Sequence, residues 1–176
     1  MRTGPLLVTL LVAAGARGEA SDQVFITYEA QVGTRQISGV SRTLQWSATA
    51  LGPDSVRVSL RVPLDSFESG HPEFDEQLLA AAQAGRHPFI EVEGTATGDR
   101  FEGSLTLRGV TRPLQLQLGV ARLDGRLVVN AAFKLDLADF GIALPSVGSR
   151  ISVDFVGRFP GEPRAVISGG AVSASR

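Results

Sequence analysis

The sequence predicts an all-β fold of about eight antiparallel strands with one inserted α-helix. Three observations support this prediction. Apolar and polar residues alternate with a period of two in several segments, short turns containing Gly and Asp separate these segments, and one Ala-rich stretch has helical spacing. A chain of 176 residues with 20 Gly and 9 Pro is long enough for one domain with a hydrophobic core and many turns.

The clearest strand covers residues 55–64, in which Val or Leu occupies every second position. Such alternation is typical of a strand with one buried face. Turn-like residues at 52–54, 98–100 and 123–126 separate alternating segments and predict hairpins. Because each strand has an apolar face, the sheet must close into a barrel or pack against a second sheet, and the pattern leaves both open. The alternation recurs at Val24, Ile26 and Tyr28, at Val40, Leu44, Trp46 and Ala48, at Leu105 and Leu107, at Leu114, Leu116, Leu118 and Val120, at Phe133, Leu135 and Leu137, and at Ile151, Val153 and Phe155.

The helix is predicted over residues 72–86, where Ala and Leu replace the alternating pattern. We expect it to begin near Ser69 or Gly70 and to end at Gly85. Its apolar face is formed by Phe74, Leu78 and Ala82, which are spaced four residues apart.

Composition excludes several classes of function. The net charge is −1, so the chain has no general positive field that would attract nucleic acid. Cysteine is absent, which excludes disulfides, thiolate catalysis and cysteine-ligated metal centres.

The N-terminal residues 1–20 have the order of a secretory signal peptide: a basic residue, an apolar stretch and small residues. We predict cleavage before Ser21, with an earlier small-residue site at Ala14–Ala16 as an alternative, and a periplasmic or secreted protein. No later segment has the length of a membrane span. The mature domain is expected at 21–159, followed by a flexible tail at 160–176, where the composition changes to small residues, Gly and Pro.

The segment Gly103–Leu114 contains a strand, a Gly-Val-Thr-Arg-Pro turn and a returning strand, and it resembles the YceI-like family. Asp139-Phe140-Gly141-Ile142 and Val153-Asp154-Phe155 fit later elements of the family, and Arg86-His87-Pro88-Phe89-Ile90 fits its junction between helix and strand. Leu137 departs from the pattern, because many members have Arg there. The resemblance covers roughly residues 23–159.

This resemblance implies a lipocalin-like antiparallel barrel whose apolar interior holds a polyisoprenoid or a similar lipid, usually in the bacterial periplasm. An ordinary side-chain core is the alternative for the same inward faces, since alternation identifies a face and not what fills the space behind it. The predicted cavity-lining residues are Trp46, Leu60, Val62, Leu105, Leu107, Leu116, Leu118, Phe133, Leu135, Ile151, Val153 and Phe155.

Arg108 and Arg112 flank the Gly-Val-Thr turn, where two guanidinium groups are suited to bind the phosphate or pyrophosphate of a lipid head group. The alternative is an ordinary solvated hairpin tip.

His71 and His87 flank the helix, and with Glu73 or Asp75 they would supply a two-His, one-carboxylate metal site. We favour structural turn roles, because both lie beside Pro, and we predict no bound metal and no cofactor.

Catalysis is not expected either. The chain has no Gly-x-Ser-x-Gly motif for a nucleophilic serine. The carboxylate pairs Asp136 and Asp139, and Glu91 and Glu93, occupy polar faces where solvation explains them.

The sequence therefore predicts an exported, non-catalytic carrier of an apolar lipid, with no nucleic-acid partner. Two alternatives stay open: a surface interaction module with a closed, ligand-free core, and an enzyme that uses His71 or His87. The oligomeric state is also open, and a homodimer is compatible with the sequence.

Overall fold

The computed structural model describes residues 16–20, 24–145 and 147–160. Within them the chain forms two antiparallel sheets, one α-helix and two 3-10 helices, Leu64–Ser66 and Leu137–Phe140. The helix, α1, covers Pro72–Ala81. The strands are β1 Ala16–Ala20, β2 Val24–Val32, β3 Arg35–Ser41, β4 Leu44–Ala50, β5 Ser55–Pro63, β6 Phe89–Thr97, β7 Arg100–Leu107, β8 Val110–Gln117, β9 Gly119–Leu123, β10 Arg126–Asp136 and β11 Val147–Pro160.

The six-stranded sheet has the order β1-β4-β5-β6-β7-β8, and the five-stranded sheet has the order β3-β2-β11-β10-β9. Successive strands change sheet three times: from β1 to β2, from β3 to β4 and, at Leu118, from β8 to β9. Among the described strands, no backbone pairing joins the two sheets. They therefore do not close into one continuous hydrogen-bonded barrel. The fold is the predicted all-β, lipocalin-like architecture, built as two curved sheets around a shared interior.

Inward and outward residues follow the period of two. In β2, Val24, Ile26, Tyr28 and Ala30 are buried, whereas the residues between them are exposed or half-buried. This strand pairs with β11 on one side and β3 on the other, so its buried face lies at the centre of the five-stranded sheet. Removing these side chains from water is a major contribution to the stability of the sheet.

Ser41 fixes the corner between the sheets. Its hydroxyl is fully buried, lies 2.7 Å from the Ser66 hydroxyl and accepts from the backbone N–H of Thr43. Ser66 in turn donates to the carbonyl of Pro63. The residues from Val40 to Ala48 therefore form two strands in different sheets, and not the single alternating segment that their pattern suggests.

Gly94 and Gly103 lie opposite each other in β6 and β7. A Cβ atom on either one would overlap the backbone of the other strand. These two positions therefore require glycine, and they let the hairpin curve around the interior.

The described residues form eleven strands, against about eight predicted for the chain. Leu118 divides the long run of alternating residues into β8 and β9, and Ala16–Ala20 pairs with β4 although the sequence analysis assigned it to the leader. Residues 1–15, residues 21–23 directly after the predicted cleavage site, and the predicted tail after Pro160 lie outside the described residues.

The helix is shorter than predicted. It ends at Ala81, and Gln83 adopts a left-handed conformation with φ 53°, so the chain leaves the helix before Gly85. At its start the N-cap is His71, and the Ser69 hydroxyl accepts from the His71 backbone N–H instead of capping the helix. The predicted apolar face is confirmed in part by burial, because Phe74 and Ala82 are buried.

Candidate ligand-binding cavity

A cavity of about 350 Å³ lies between the two sheets. Packed protein interiors contain few voids larger than one water molecule, whereas ligand sites occupy roughly 300–1,000 Å³. The lining is almost entirely aliphatic and aromatic, so it offers ordered water too few polar partners to fill the space. The cavity therefore has the size and surface of an apolar ligand site.

The structure places all of the predicted lining residues around this one cavity. β4 and β5 contribute one group, β7 and β8 a second, and β10 and β11 a third, so both sheets form its walls. Their roles in ligand binding stay predictions. The residues in question are Trp46, Leu60, Val62, Leu105, Leu107, Leu116, Leu118, Phe133, Leu135, Ile151, Val153 and Phe155.

Further lining residues were not predicted from the sequence. Ile90 and Val92 on β6 alternate with Glu91, and this pattern was available in the sequence. Leu127 and Val129 lie near the start of β10, where three consecutive apolar residues, 127–129, obscure the alternation. Their inward direction follows from pairing with β9 and β11.

Helix α1 covers one end of the cavity, which we call the α1 end. Phe74, Leu78 and Ala82 line the cavity from the helix side. At the same end, Leu137 and Ile142 are at most 4% exposed and belong to the same apolar cluster as Ala82. This end is closed by tightly packed side chains.

The opposite end is formed by the β4–β5, β6–β7 and β9–β10 turns, and we call it the hairpin end. Gly98 of the β6–β7 turn and Val120 of β9 belong to the cavity lining there. From Ile151 to Phe159 along β11, both of which line the cavity, the distance is about 26 Å at about 3.3 Å per residue. The cavity is therefore elongated, with a shape that suits a linear chain.

Trp46 lies towards the hairpin end. Its ring is half-buried and meets the Phe159 ring edge-on at 5.3 Å between centroids. It is the single Trp of the chain. Its fluorescence is therefore a specific probe of the cavity.

A polar pair is buried at the α1 end. The Tyr28 hydroxyl and Asp75 Oδ1 are both buried without a hydrogen-bond partner. Burial, together with the Asp75 carboxylate, raises the pKa of Tyr28 to about 12, and the Ser69 hydroxyl opposes the shift without reaching hydrogen-bond geometry. The Tyr28 ring lies over Gly39, its partner on β3, where a larger residue would not fit. The raised pKa favours the neutral form of the Tyr28 hydroxyl.

Arg108 and Arg112 lie on the β7–β8 hairpin and are not among the cavity-lining residues. Arg108 donates through Nη1 to the carbonyl of Gly141, and Arg112 donates through Nε to the carbonyl of Asp139 at 3.0 Å. Both therefore bind the Asp-Phe-Gly turn to this hairpin. Their predicted contact with a head group stays a prediction, and the structure shows a different role for each guanidinium.

The two histidines lie at different places. His71 precedes α1, whereas the His87 ring packs against Gly109 of the β7–β8 turn. Within the described ranges, no group of three His, Asp or Glu side chains is arranged to hold a metal ion.

One carboxylate of each predicted pair has a structural partner. Asp136 accepts from the backbone N–H of Ala138 and lies 3.7 Å from Arg150, and Glu91 lies 3.0 Å from Arg61 on the outer face of the sheet. Neither carboxylate lines the cavity.

Similar structures have been solved. BcnA from Burkholderia cenocepacia aligns with a TM-score of 0.64 and 12% identity, covering 77% of this chain and 95% of the other. A polyisoprenoid binding domain from Saccharophagus degradans aligns with a TM-score of 0.70 and 16% identity, covering 82% of this chain and 99% of the other. At these identities the likeness shows a shared fold.

A comparison with curated protein sequences finds no match. In the part of the chain that the structure describes, no helix is long and apolar enough to cross a bilayer. The model of the YceI-like domain matches residues 19–159, which is most of the chain. The chain belongs to the YceI-like family.

Proposed function

We propose that this protein is an exported, non-catalytic carrier that holds a polyisoprenoid or a similar apolar chain between its two sheets. One observation carries the proposal: an elongated cavity of about 350 Å³ with an almost wholly apolar lining. The similarity to the polyisoprenoid binding domain from Saccharophagus degradans supports the ligand class.

The energetics favour such a ligand. Each CH₂ group that leaves water contributes about 0.8 kcal/mol, so a chain of several isoprenoid units gains many kcal/mol on entering an apolar cavity. Because the cavity is already formed, the protein loses little conformational entropy when the ligand binds. A polar substrate would lose its hydration here and find few partners, because most lining side chains have no hydrogen-bonding group.

The absence of a catalytic role is also a proposal. Among the described lining side chains, those with a hydroxyl or a charge are Tyr28 and Arg122, which lie in different parts of the cavity. Catalysis by proton transfer requires groups within hydrogen-bond reach of one reacting centre. Because apolar side chains separate Tyr28 from Arg122, the cavity is better suited to storing or transporting a ligand than to reacting with it.

Export is proposed from the secretory pattern of residues 1–20 and would place the protein in the periplasm or outside the cell. Cell fractionation combined with N-terminal sequencing tests this part. We expect a mature N-terminus near Ser21, so that β1 belongs to the precursor and the six-stranded sheet of the mature protein begins at β4. Recovery of protein with Met1 in the cytoplasm would contradict it.

A direct binding measurement tests the carrier function. Purified protein is titrated with a long-chain polyprenol while Trp46 fluorescence is followed, and native mass spectrometry gives the stoichiometry. We expect a saturable fluorescence change and one ligand per chain, and weaker binding of a short prenol because it buries less hydrocarbon. If neither measurement detects the long-chain prenol, the carrier function is wrong and a surface interaction module becomes the better account.

A further inference from the structure

Arg122 is the one charged residue among the described residues that line the cavity. On β8 and β9 the inward face runs through Leu116, Leu118 and Val120, and Arg122 is the next residue on that face. This row of inward apolar side chains therefore ends in the guanidinium group of Arg122.

Arg122 lies at the hairpin end. It is opposite Leu127 of β10, which is opposite Phe159 of β11. Arg122 itself is exposed, while Val120 and Leu127 beside it are half-buried. The side chain therefore borders both the cavity and bulk water, where its methylene groups can cover apolar surface while the charged group lies towards the opening.

An arginine at this position is suited to binding an anion. The guanidinium carries a permanent positive charge and a planar set of N–H donors that matches the oxygens of a phosphate or carboxylate. The acidic side chains of the nearby turns, Asp99 and Asp124, are exposed and are not part of the lining. Among the described lining residues, Arg122 is therefore the charged group that lies nearest to an oxyanion at the hairpin end of a bound chain.

We propose that Arg122 binds the anionic head group, a phosphate or a carboxylate, of the lipid in the cavity. The head group then lies at the hairpin end, and the hydrocarbon chain extends towards α1. This inference rests on the proposed carrier function and adds the charge and the direction of its ligand. The competing explanation is that β9, which pairs only with β10 among the described strands, uses an inward charge to prevent edge-to-edge association.

The test compares a polyprenol, the corresponding polyprenyl phosphate and a prenyl carboxylate of equal chain length, with Kd measured by Trp46 fluorescence. For the wild type we expect the anionic form that matches the site to bind about 10-fold more tightly than the alcohol, which corresponds to about 1.4 kcal/mol. The phosphate and carboxylate arms show which oxyanion is preferred.

Arg122→Gln should remove this preference, because it should weaken binding of the anions far more than binding of the alcohol. Arg126→Gln is the matched control, because Arg126 lies in the same hairpin outside the cavity lining. It should change neither affinity. The melting temperature of each variant shows whether it is folded.

Two results would overturn the inference: equal wild-type affinity for alcohol and anions, or an equal loss for all three ligands in Arg122→Gln. Self-association of Arg122→Gln with unchanged discrimination would favour the edge-protection explanation. If the wild type binds none of the three ligands, the carrier function itself fails, and the inference fails with it.

Discussion

At the α1 end of the cavity, Leu107, Leu137 and Ile142 are at most 4% exposed, and Phe140 beneath them is 2% exposed. At the hairpin end, Val120 and Leu127 are half-buried, and Leu123 in the adjoining turn is 54% exposed. Both ends derive from the same alternating strands. They differ because α1 and the Asp-Phe-Gly turn add a packed layer at one end.

This difference separates stability from ligand access. Side chains that are surrounded by other side chains lose many contacts when they are changed, whereas side chains bordering a cavity lose few. We therefore expect substitutions at the α1 end to affect folding and substitutions near the hairpin end to affect ligand binding. A ligand enters most easily where the walls are least packed, at the hairpin end.

The largest expected effect is that of a charge at the α1 end. Leu107→Asp buries an unpaired carboxylate and should lower the free energy of unfolding by about 4 kcal/mol or more. Leu116→Asp, at a half-buried position that borders the cavity, should cost about 1–2 kcal/mol and most of the lipid content. Urea unfolding and lipid extraction measure both quantities.

Gln117→Asp is the matched control for these variants. Gln117 is exposed on the opposite face of β8 and lies opposite Arg100. Its substitution should change stability by less than about 0.5 kcal/mol. If this variant fails to fold while the leucine variants survive, the assigned inward face is wrong.

A smaller effect is expected from alkaline pH at the α1 end. Because the pKa of Tyr28 is raised from 10.0 to about 12 in the folded protein, the neutral phenol is favoured by folding. The associated stability, at most about 2 kcal/mol after solvent screening, is present below pH 10 and is lost as the pH rises to about 12. Urea unfolding at neutral and alkaline pH measures this loss.

Tyr28→Phe should lack this component of the pH dependence and should be as stable as the wild type at neutral pH, because it removes an unpaired buried hydroxyl. Tyr28 is the single tyrosine of the chain, so tyrosinate absorbance reports its titration directly. An ordinary pKa, or identical alkaline curves for the two proteins, would contradict the buried environment.

The smallest effect concerns the β7–β8 hairpin. Arg108→Gln removes the donation to the Gly141 carbonyl and should cost about 1–2 kcal/mol of stability, with no change in lipid affinity. Chemical denaturation and the Trp46 titration measure these two quantities. A large loss of affinity with unchanged stability would instead support the head-group role predicted from the sequence.

The alternating strands could be predicted from the sequence because each side chain's direction depends on local backbone geometry. The same rule places residues such as Leu60 and Val153 on the inner wall. It does not show that Val40 and Leu44 belong to different sheets, because the corner depends on the contact between Ser41 and Ser66, which are far apart in the chain.

The functions of individual polar residues were harder to predict. Arg108 and Arg112 form their hydrogen bonds with the chain about thirty residues further on, a contact that only the packed structure brings together. Arg122 was missed because a charged residue interrupts the apolar pattern that ends at Val120, although it keeps the same spacing. The buried pair Tyr28 and Asp75 depends on the position of α1 over the sheet.

The most direct test of the account compares lipid occupancy with stability when the cavity is filled. Ala48→Phe with Ala96→Phe places two rings in the cavity, whereas Ser47→Phe with Thr95→Phe places them at the neighbouring outward positions. Extracted lipid per folded chain and melting temperature are measured for both pairs and for the wild type. We expect lipid in the wild type and the outward pair, and a large loss of lipid with little loss of stability in the inward pair, because overpacking strain of about 1–3 kcal/mol arises only in a filled core. A wild type without lipid, together with a strongly destabilised inward pair, would show that side chains fill the interior and would contradict the carrier function.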